Sequence, residues 1–443
     1  MLRNHTGAQL FPLRGSSGTV ATLTPGNAAQ FDLSSVPAFN GNMAYYMPAI
    51  LVTIKGTLTQ SGATGVALFW DNFLRLLVSS IDLQNAFHGR PIAQESVLGS
   101  ILPIIEFVGN GGRYVQRRRG RIPAANGAYL FNYTFAIPLS FGYGAKPHHT
   151  AQLALFFKNS QLNINVAAAA IATAASPGSS ITSLTAEASA VLLPEPEIRV
   201  GPGVEWVDYQ AVVAAGQTTF QINDFGNRTT LEGTEKGAGV LFHGLLTSVN
   251  GQPGCFTAAN LSAFTAQYRA QVNINHVDAL VAMCIDALGA QRSIGGVVDQ
   301  GGALTLSDMG SFPYAMGTDH SNEQTNRTGL LFFPVGAMPT CDLELSKVQA
   351  INEGVQLEAT IASLSGTMHH VVAHVRSWAP EKLEQMARLI VDSGLAKRVL
   401  GTSDVEWDLK VTKKQDPAGI SAKKMRFFPM TLKPSGADQV DAE

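Results

Sequence analysis

Charged side chains are scarce in this chain. They make up 14% of its 443 residues, while 45% are hydrophobic, and the formal net charge is -2. Disordered chains have the opposite balance, with many charges and few hydrophobic residues. A protein that binds a polyanion through its overall charge would be strongly basic. The composition therefore indicates a folded protein whose bulk charge does not select a polyanionic partner.

Cysteine is also rare: Cys255, Cys284 and Cys341 lie far apart and form no Cys-x-x-Cys motif. An odd number at such spacing argues against a disulfide framework and a zinc knuckle. We expect buried thiols in a reducing compartment. The polar N-terminal sequence lacks the apolar core of a secretory signal. The longest apolar stretch, residues 166–175, falls short of the roughly 20 residues that a membrane helix needs.

Motifs that carry catalysis are missing as well. Residues 109–112, Gly-Asn-Gly-Gly, lack the Gly-Lys-Ser/Thr of a phosphate-binding loop and indicate a turn. The chain has no Gly-x-Ser-x-Gly elbow of a serine hydrolase. Its scattered carboxylates favour no glycosidase pair, although such pairs meet only in space. We predict that the chain is not an enzyme and uses no cofactor.

Two histidine pairs are the remaining candidates for a metal site. His370 and His374 lie in residues 367–375, which read as a strand with both imidazoles on one face. His148 and His149 form a loop pair with no third ligand nearby in the sequence. Neither pair has the ligand set of a zinc site, so we predict ordinary histidines and no bound metal.

Short apolar runs separated by turn residues fill most of the chain. There are 43 glycines and 21 prolines, and such punctuation is typical of an all-β protein. The length fits two to three domains. Low charge then has two interpretations: other subunits cover much of the surface, or the core is large. The clearest predicted strands are residues 49–59, 128–140, 151–158, 161–166, 181–193, 239–249, 266–274, 279–285, 330–335, 355–364 and 369–377.

The second half of the chain echoes the first. The strand-like run at residues 50–59 resembles residues 240–247, and each leads through a Gly-bearing turn to a more helix-compatible stretch, near residues 71–77 and 259–264. Further on, residues 133–139 resemble residues 328–335. The offset is nearly constant and far longer than the period of a solenoid repeat. The pattern predicts two copies of one domain.

Proline marks the predicted boundaries. Pro194-Glu195-Pro196-Glu197 interrupts the strand pattern, because proline removes a ladder donor and biases its neighbours. The predicted segments are an N-terminal arm with short strands over residues 1–45, a first domain over 46–193, a linker over 194–198, a second domain over 199–378, and a C-terminal helix and basic tail over 379–443.

The C-terminal region differs from the rest. Residues 381–400 carry Leu383, Met386, Ile390 and Leu395 at helical spacing, between Pro380 and Gly401, as in an amphipathic helix. A basic segment follows, for which we favour an interior-facing role against phosphate of lipid or genome over a solvated tail. Its basic residues are Lys410, Lys413, Lys414, Lys423, Lys424, Arg426 and Lys433.

A second basic cluster lies in the first half. Arg117, Arg118, Arg119 and Arg121 are close enough to bind phosphate or an acidic neighbour. We favour a contact between subunits over contact with nucleic acid or lipid, and a solvated loop is the plain alternative.

The layout resembles the double jelly-roll major capsid proteins of membrane-containing icosahedral viruses, such as the tectiviruses. Residues 51–83 resemble the first long strand pair of that family, and residues 133–139 followed by 152–160 resemble its later strands. In the second half, residues 331–335, 357–364 and 371–378 resemble the closing strands. The tectivirus members typically carry a membrane-facing helical extension at the N-terminus, whereas here the helix and basic segment are C-terminal.

The resemblance implies an all-β fold of two tandem eight-stranded jelly-roll barrels, a double jelly roll, with a short C-terminal helix and tail. It also implies a homotrimeric, pseudo-hexagonal capsomer that tiles an icosahedral shell over an internal membrane. The partners would be the chain itself, neighbouring capsomers, penton and minor capsid or membrane proteins, and anionic lipid. Its place would be the virion, with the host cytoplasm during assembly.

Two alternatives stay open at the level of sequence. One is a carbohydrate-binding β-sandwich surface protein or adhesin, although Trp70, Trp206, Trp378 and Trp407 are dispersed rather than clustered in loops. The other is a jelly-roll enzyme that uses His370 and His374.

Overall fold

The structure is a computed structural model of the whole chain. Over residues 203–376 it describes the backbone only. The described residues are 7–15, 18–24, 28–61, 77–84, 125–139, 151–166, 180–200, 203–213, 219–222, 235–249, 252–255, 261–268, 272–275, 330–333, 355–361, 366–376, 380–408 and 430–436.

The first unit consists of two antiparallel sheets. The larger has seven strands in the order β1-β11-β6-β5, with β3 also paired to β11 and β8 and β9 also paired to β6. The smaller has the order β2-β4-β10-β7. In chain order the strands are Gln9–Pro12 (β1), Arg14–Gly15 (β2), Val20–Thr22 (β3), Ala29–Asp32 (β4), Phe39–Asn40 (β5), Met43–Gln60 (β6), Val78–Gln84 (β7), Gly127–Pro138 (β8), Gln152–Leu153 (β9), Gln161–Val166 (β10) and Ser180–Glu195 (β11).

Period-two alternation forms the core of this unit. In β8, Phe131, Tyr133, Phe135 and Ile137 are buried while the residues between them are more exposed, as the sequence predicts. The smaller sheet buries Phe31, Ile81, Leu83, Leu162 and Ile164. Two sheets that each bury one face make a sandwich, since each needs the other to remove its apolar face from water.

A three-stranded sheet follows the first unit. It joins Ile198–Val200 (β12) to Val405–Asp408 (β22) and Met430–Pro434 (β23), in the order β12-β23-β22. The strand that leaves the first unit therefore pairs with the last strands of the chain. No part of the sequence predicted this sheet.

The second unit repeats the design. Its larger sheet has the order β13-β21-β15-β16 with β19 on β15, and its smaller sheet has the order β14-β20-β17-β18. The strands are Gly203–Val213 (β13), Thr219–Ile222 (β14), Glu235–Val249 (β15), Gln252–Cys255 (β16), Leu261–Tyr268 (β17), Val272–Asn275 (β18), Leu330–Phe333 (β19), Val355–Ile361 (β20) and Gly366–Arg376 (β21).

The strand order shows that the echo in the sequence is structural. In the first unit β6 lies between β11 and β8, and in the second β15 lies between β21 and β19. The two central strands also have similar partners: Val52 of β6 pairs with Phe135 of β8, and Val240 of β15 pairs with Phe333 of β19. Likewise β10 lies between β4 and β7, as β20 lies between β14 and β17. The predicted all-β fold with two similar units in tandem is confirmed.

The N-terminal segment differs from the predicted arm. Strands β1 and β3 pair with β11, and β4 pairs with β10. The short strands were expected, but they complete the two sheets of the first unit rather than lying outside it. The boundary expected at residue 46 falls inside β6, and β11 continues through Pro194 to Glu195, where Pro194 pairs with Tyr45.

Three local predictions were wrong. Residues 151–158 are not one strand, because β9 is followed by a 3-10 helix, Ala154–Phe157, whose four residues are all buried and so cannot alternate. Residues 261–264, expected to be helix-compatible, belong to strand β17. Residues 266–274 contain parts of the paired strands β17 and β18 rather than a single strand.

Candidate functional site

One end of the first unit gathers segments from distant parts of the chain around a single apolar cluster, called here the end cluster. Strands β6, β9, β11, β12 and β23 contribute to it, together with the two helices that follow the second unit, Pro380–Asp392 (α1) and Leu395–Val399 (α2). Its buried members are Ala44, Tyr46, Ala151, Leu153, Leu155, Phe156, Leu193, Ile198, Val200, Leu383, Met386, Ile390, Leu395, Ala396 and Leu432.

The helical spacing predicted for the C-terminal region positions the apolar side of α1. Leu383, Met386 and Ile390 are buried in the end cluster, because residues three and four apart share one face of a helix. On the exposed side, Arg388 bonds Glu384 at 2.6 Å, a surface pair that contributes only about 0.3–0.5 kcal/mol. The apolar face of α1 thus packs on the protein itself.

The predicted single helix is divided in two. Gly394 adopts a left-handed conformation with φ of 75°, which glycine tolerates without a steric cost. The Ser393 hydroxyl donates to the Ile390 carbonyl oxygen at 2.9 Å and closes the end of α1. Gly401, with φ of 78°, follows α2 as the sequence predicts.

Tyr46 joins β6 to the junction between the units. Its side chain is 1% exposed. The hydroxyl accepts a hydrogen bond from the Arg199 backbone N–H at 2.5 Å and donates to the Glu197 carbonyl oxygen at 2.9 Å. Burial raises the pKa of this hydroxyl, because a buried phenolate loses its hydration. The tyrosine therefore stays neutral and keeps its proton to donate.

The Arg199 side chain adds to the same junction. Its guanidinium lies 5.3 Å from the centre of the Tyr46 ring and 3.3 Å from the Glu195 carboxylate. A cation over an aromatic face is attracted by the ring quadrupole. These contacts fix residues 195–199, which include most of the predicted linker at 194–198, against the first unit.

The sequence missed this junction, although one signal was present. Residues 44–50 are buried without interruption, whereas the predicted strand began only at residue 49. A continuous apolar run indicates a strand covered on both faces. Tyr45 and Tyr46 stand in that run, and the helices and β12 explain what covers it.

The C-terminal strands complete the end cluster. Leu432 of β23 is buried and pairs with Ile198 of β12, and it also pairs with Trp407 of β22. The Trp407 indole N–H donates to the Leu383 carbonyl oxygen at 3.2 Å. Strand β22, strand β23 and helix α1 are therefore one packed structure.

This arrangement changes the meaning of the predicted basic tail. Asp408 and Thr431 are direct partners in the β22–β23 ladder, so the sequence between them leaves and returns at adjacent positions. Lys433 lies within β23. Lys410, Lys413, Lys414, Lys423, Lys424 and Arg426 belong to the connection between the two strands and lie outside the described residues. The segment is therefore bounded on both sides by paired strands.

The structure says less about the other predicted site residues, the arginine cluster and the two histidine pairs. Arg117, Arg118, Arg119 and Arg121 lie outside the described residues, as do His148 and His149. His370 and His374 lie in strand β21, as predicted. Within the described part of the chain, no group of three His, Cys, Asp or Glu residues is arranged to hold a metal ion. Among those same residues, no helix has the length and apolar character to cross a membrane.

Comparison with solved structures identifies the fold. A chain from the atomic structure of Sulfolobus turreted icosahedral virus superimposes with a TM-score of 0.50 and 13% identity, over 88% of this chain and 98% of that chain. The crystal structure of the STIV major capsid protein gives 0.49 and 12%, over 86% and 99%. The major capsid protein of bacteriophage PM2 gives 0.42 and 9%, over 84% and 98%. No family model and no curated protein sequence matches the chain.

These neighbours are double jelly-roll proteins: two are major capsid proteins, and the other is a chain of an icosahedral virus. They are structural proteins and not enzymes. At sequence identities this low the comparison establishes only the fold. The chain is a double jelly roll with two C-terminal helices. The first of the three matches, which spans nearly the whole of both chains, carries this conclusion.

Proposed function

We propose that this chain is a double jelly-roll major capsid protein that assembles into the shell of an icosahedral virus. The observation that carries the proposal is the repeated strand order, β11-β6-β8 and β21-β15-β19, within one chain. It is supported by the match of 88% of this chain to almost all of a chain from an icosahedral virus. The division into two jelly rolls, predicted over residues 46–193 and 199–378, belongs to this proposal, with the N-terminal strands and the end of β11 assigned to the first jelly roll as their pairing requires.

The fold suggests how one chain would build a shell. Two similar sandwiches in each subunit give three subunits six similar blocks around a three-fold axis, a pseudo-hexagonal homotrimer that can tile a lattice. A closed ring of identical chains uses the same contact at each of its three junctions. The partners would be the chain itself, neighbouring capsomers, and the penton and minor proteins of the virion. No catalytic step is required of any residue.

The test of this proposal is the assembly state of the purified protein. We expect a stable trimer by sedimentation at micromolar concentration and hexagonal outlines in negative-stain electron micrographs. A mass of one subunit under these conditions would overturn it. The carbohydrate-binding alternative would instead give a monomer that binds defined sugars on a glycan array.

The basic residues at 410–433 suggest contact with an internal anionic membrane. Each lysine or arginine near an anionic surface contributes about 1 kcal/mol, and the β22–β23 ladder would hold their segment at the end cluster. The buried apolar face of α1 is occupied by the protein itself, so attraction would depend on charge. We place the mature protein in the virion, and in the host cytoplasm during assembly.

This second part of the proposal has its own experiment. Deleting residues 402–443 would also remove buried Leu432, so the sharper variant replaces Lys410, Lys413, Lys414, Lys423, Lys424 and Arg426 with glutamine. We expect it to form trimers but to lose flotation with phosphatidylserine vesicles. Lys397→Gln, exposed on α2, is the control for the loss of a cation outside this segment. Unchanged flotation of the six-fold variant would refute membrane contact through these residues.

A further inference from the structure

The outward side of the larger sheet in the first unit, called here the outer face, is exposed over much of its area. It consists of the side chains that point away from the core where β6 pairs with β8 and β11, and where β11 pairs with β1 and β3. Its members include Leu10, Val20, Thr22, Leu51, Thr53, Lys55, Thr57, Leu130, Asn132, Thr134, Thr185, Glu187 and Ser189.

Charge is nearly missing from this surface. Among the described residues that form it, only Lys55 and Glu187 are charged, and they pair with each other at 2.7 Å. Thr53 and Thr134 are hydrogen-bonded across the neighbouring strands at 3.0 Å. Covering this face would therefore remove few charged groups from water. The cores of protein contact surfaces are depleted in charge in the same way.

Three exposed large hydrophobic side chains lie on the outer face. Among the residues whose side chains the structure describes, four such side chains are clearly exposed: Leu130 at 77%, Leu10 at 56%, Val20 at 42% and Met43 at 41%. Leu130, Leu10 and Val20 all lie on this face, on strands β8, β1 and β3. Single exposed hydrophobic residues are ordinary, and these three are spread along the face, with Leu10 at the register of Ala49 and Leu130 at that of Thr57. The low charge of the face, and not one contiguous apolar patch, is therefore what points to a contact site.

A groove opens on the same face beside Leu130. It has a volume of about 540 Å³, and Lys55, Thr57, Asn132 and Ser183 contribute to its walls. Ser183 has a left-handed backbone, with φ of 55°, at a point where the register of β11 against β6 shifts. The bulge interrupts an otherwise regular surface and leaves a shallow, open depression beside Leu130.

The size of the face fits a protein contact. The β6–β8 ladder contains twelve residue pairs, about 40 Å in length at the usual rise per residue. Four strand positions across at the usual spacing give a width of about 19 Å. The product, about 760 Å², is an upper bound, because the end pair Ala49–Pro138 is buried and the short strands β1 and β3 fill the fourth position only in part. It is of the order of the roughly 800 Å² that each partner contributes to a stable interface.

The chemistry of the face selects among partners. A lipid surface would attract exposed lysine or arginine, and the one lysine among these residues is already paired. A sugar would need an aromatic platform to stack upon, and no Trp, Tyr or Phe stands among the outward members of the face. Threonine, serine and leucine on a regular sheet are suited to a dry contact with another protein surface.

We propose that the outer face is covered by a second copy of this chain in the capsomer, with Leu130 as the anchor residue. This inference rests on the proposed capsid function and names the surface through which its subunits would meet. In a closed three-fold ring each junction contains one outer face. A single substitution there therefore weakens all three junctions at once.

The experiment compares matched charge substitutions in the full-length protein. Leu130→Glu introduces a charge on the outer face, on β8 opposite Thr57 at the edge of the described sheet. Met43→Glu introduces the same charge on an exposed residue of β6 beyond the β6–β8 ladder. Sedimentation over a dilution series measures the subunit dissociation constant, while circular dichroism and the unfolding midpoint verify the fold. We expect Leu130→Glu to raise that constant roughly tenfold or more and Met43→Glu to leave it unchanged.

The outcomes separate this inference from the proposed function. One result is an oligomeric wild type in which Leu130→Glu dissociates no more readily than Met43→Glu. That result overturns the proposal that a second copy covers the outer face, and it leaves the proposed capsid function standing. A monomeric wild type overturns both. If Leu130→Glu does not fold, Thr134→Lys, exposed on the same face, decides between the same two results.

Discussion

The Tyr46 hydroxyl accepts the backbone N–H of Arg199 at 2.5 Å, and the Arg199 guanidinium lies 5.3 Å from the centre of the Tyr46 ring. One side chain of the first unit thus binds both the backbone and the side chain of the segment that leads to the second. The contact joins residues far apart in sequence and lies inside the end cluster. It links the stability of the junction to a single buried hydroxyl.

Removing that hydroxyl should weaken the fold. Tyr46→Phe leaves the Arg199 N–H and the Glu197 carbonyl oxygen without their partner, and an unmade buried hydrogen bond costs about 1–3 kcal/mol. We expect this loss in the free energy of unfolding measured with urea. Tyr129→Phe is the control, because its hydroxyl donates to the Ala125 carbonyl oxygen at an exposed site and should cost much less. Equal losses in the two variants would contradict the assignment.

The same hydroxyl gives a pH dependence. Its pKa is raised above the ordinary value of 10.0, so the folded state holds this proton more tightly than the unfolded state does. The stabilisation is therefore complete below about pH 10 and is lost as the pH rises further. We expect the free energy of unfolding to fall more steeply above about pH 10 in the wild type than in Tyr46→Phe. If the free energy of unfolding fell equally with pH in both proteins, ionisation of Tyr46 would not destabilise the folded state, and the prediction would be wrong.

Helix α1 should depend on its buried side. Met386 is fully buried in the end cluster, and truncating such a side chain leaves a cavity. Met386→Ala should lower the free energy of unfolding by about 2–5 kcal/mol, while Gln385→Ala on the exposed side should change it by less than about 0.5 kcal/mol. Thermal and urea unfolding of both variants measure the difference. Similar values would mean that α1 is not packed as described.

A glycine in β6 should be needed for packing. A Cβ atom at Gly56 would lie 2.7 Å from the Phe131 ring, so Gly56→Ala should cost about 1–3 kcal/mol through overpacking. Phe131→Leu in the same chain should recover part of that loss, because the smaller side chain makes room. The double-mutant cycle measures this coupling. If the losses in unfolding free energy of the two single variants simply added in the double variant, the cost of Gly56→Ala would not come from contact with Phe131.

The sequence predicted the fold where local patterns and global structure agree. The alternating residues 128–140 form β8. Residues 50–59 and their echo at 240–247 lie in β6 and β15, which occupy corresponding central positions in the two units. Helical spacing after Pro380 became α1. These signals are local, because each depends on which residues share one face of one element.

What the sequence did not predict depends on distant partners. Strands β12, β22 and β23 are three to five residues long, and nothing in such short segments shows that Leu432 will pair with Ile198. The role of Tyr46 likewise depends on Glu197 and Arg199, which approach it only in the folded chain. The basic segment was predicted as a tail because the strand that closes it carries no strong pattern of its own.

The pairing of β12 with β23 also orders the folding of the chain in time. During synthesis Ile198 and Tyr46 are made early, whereas Leu432, which covers them, is made only after the whole second unit. Domains generally begin to fold in the order of their synthesis, so the end cluster of a nascent chain lacks its last components. A chain that stops short of residue 432 would carry an uncovered apolar end. The junction thus closes only in chains that reach residue 432.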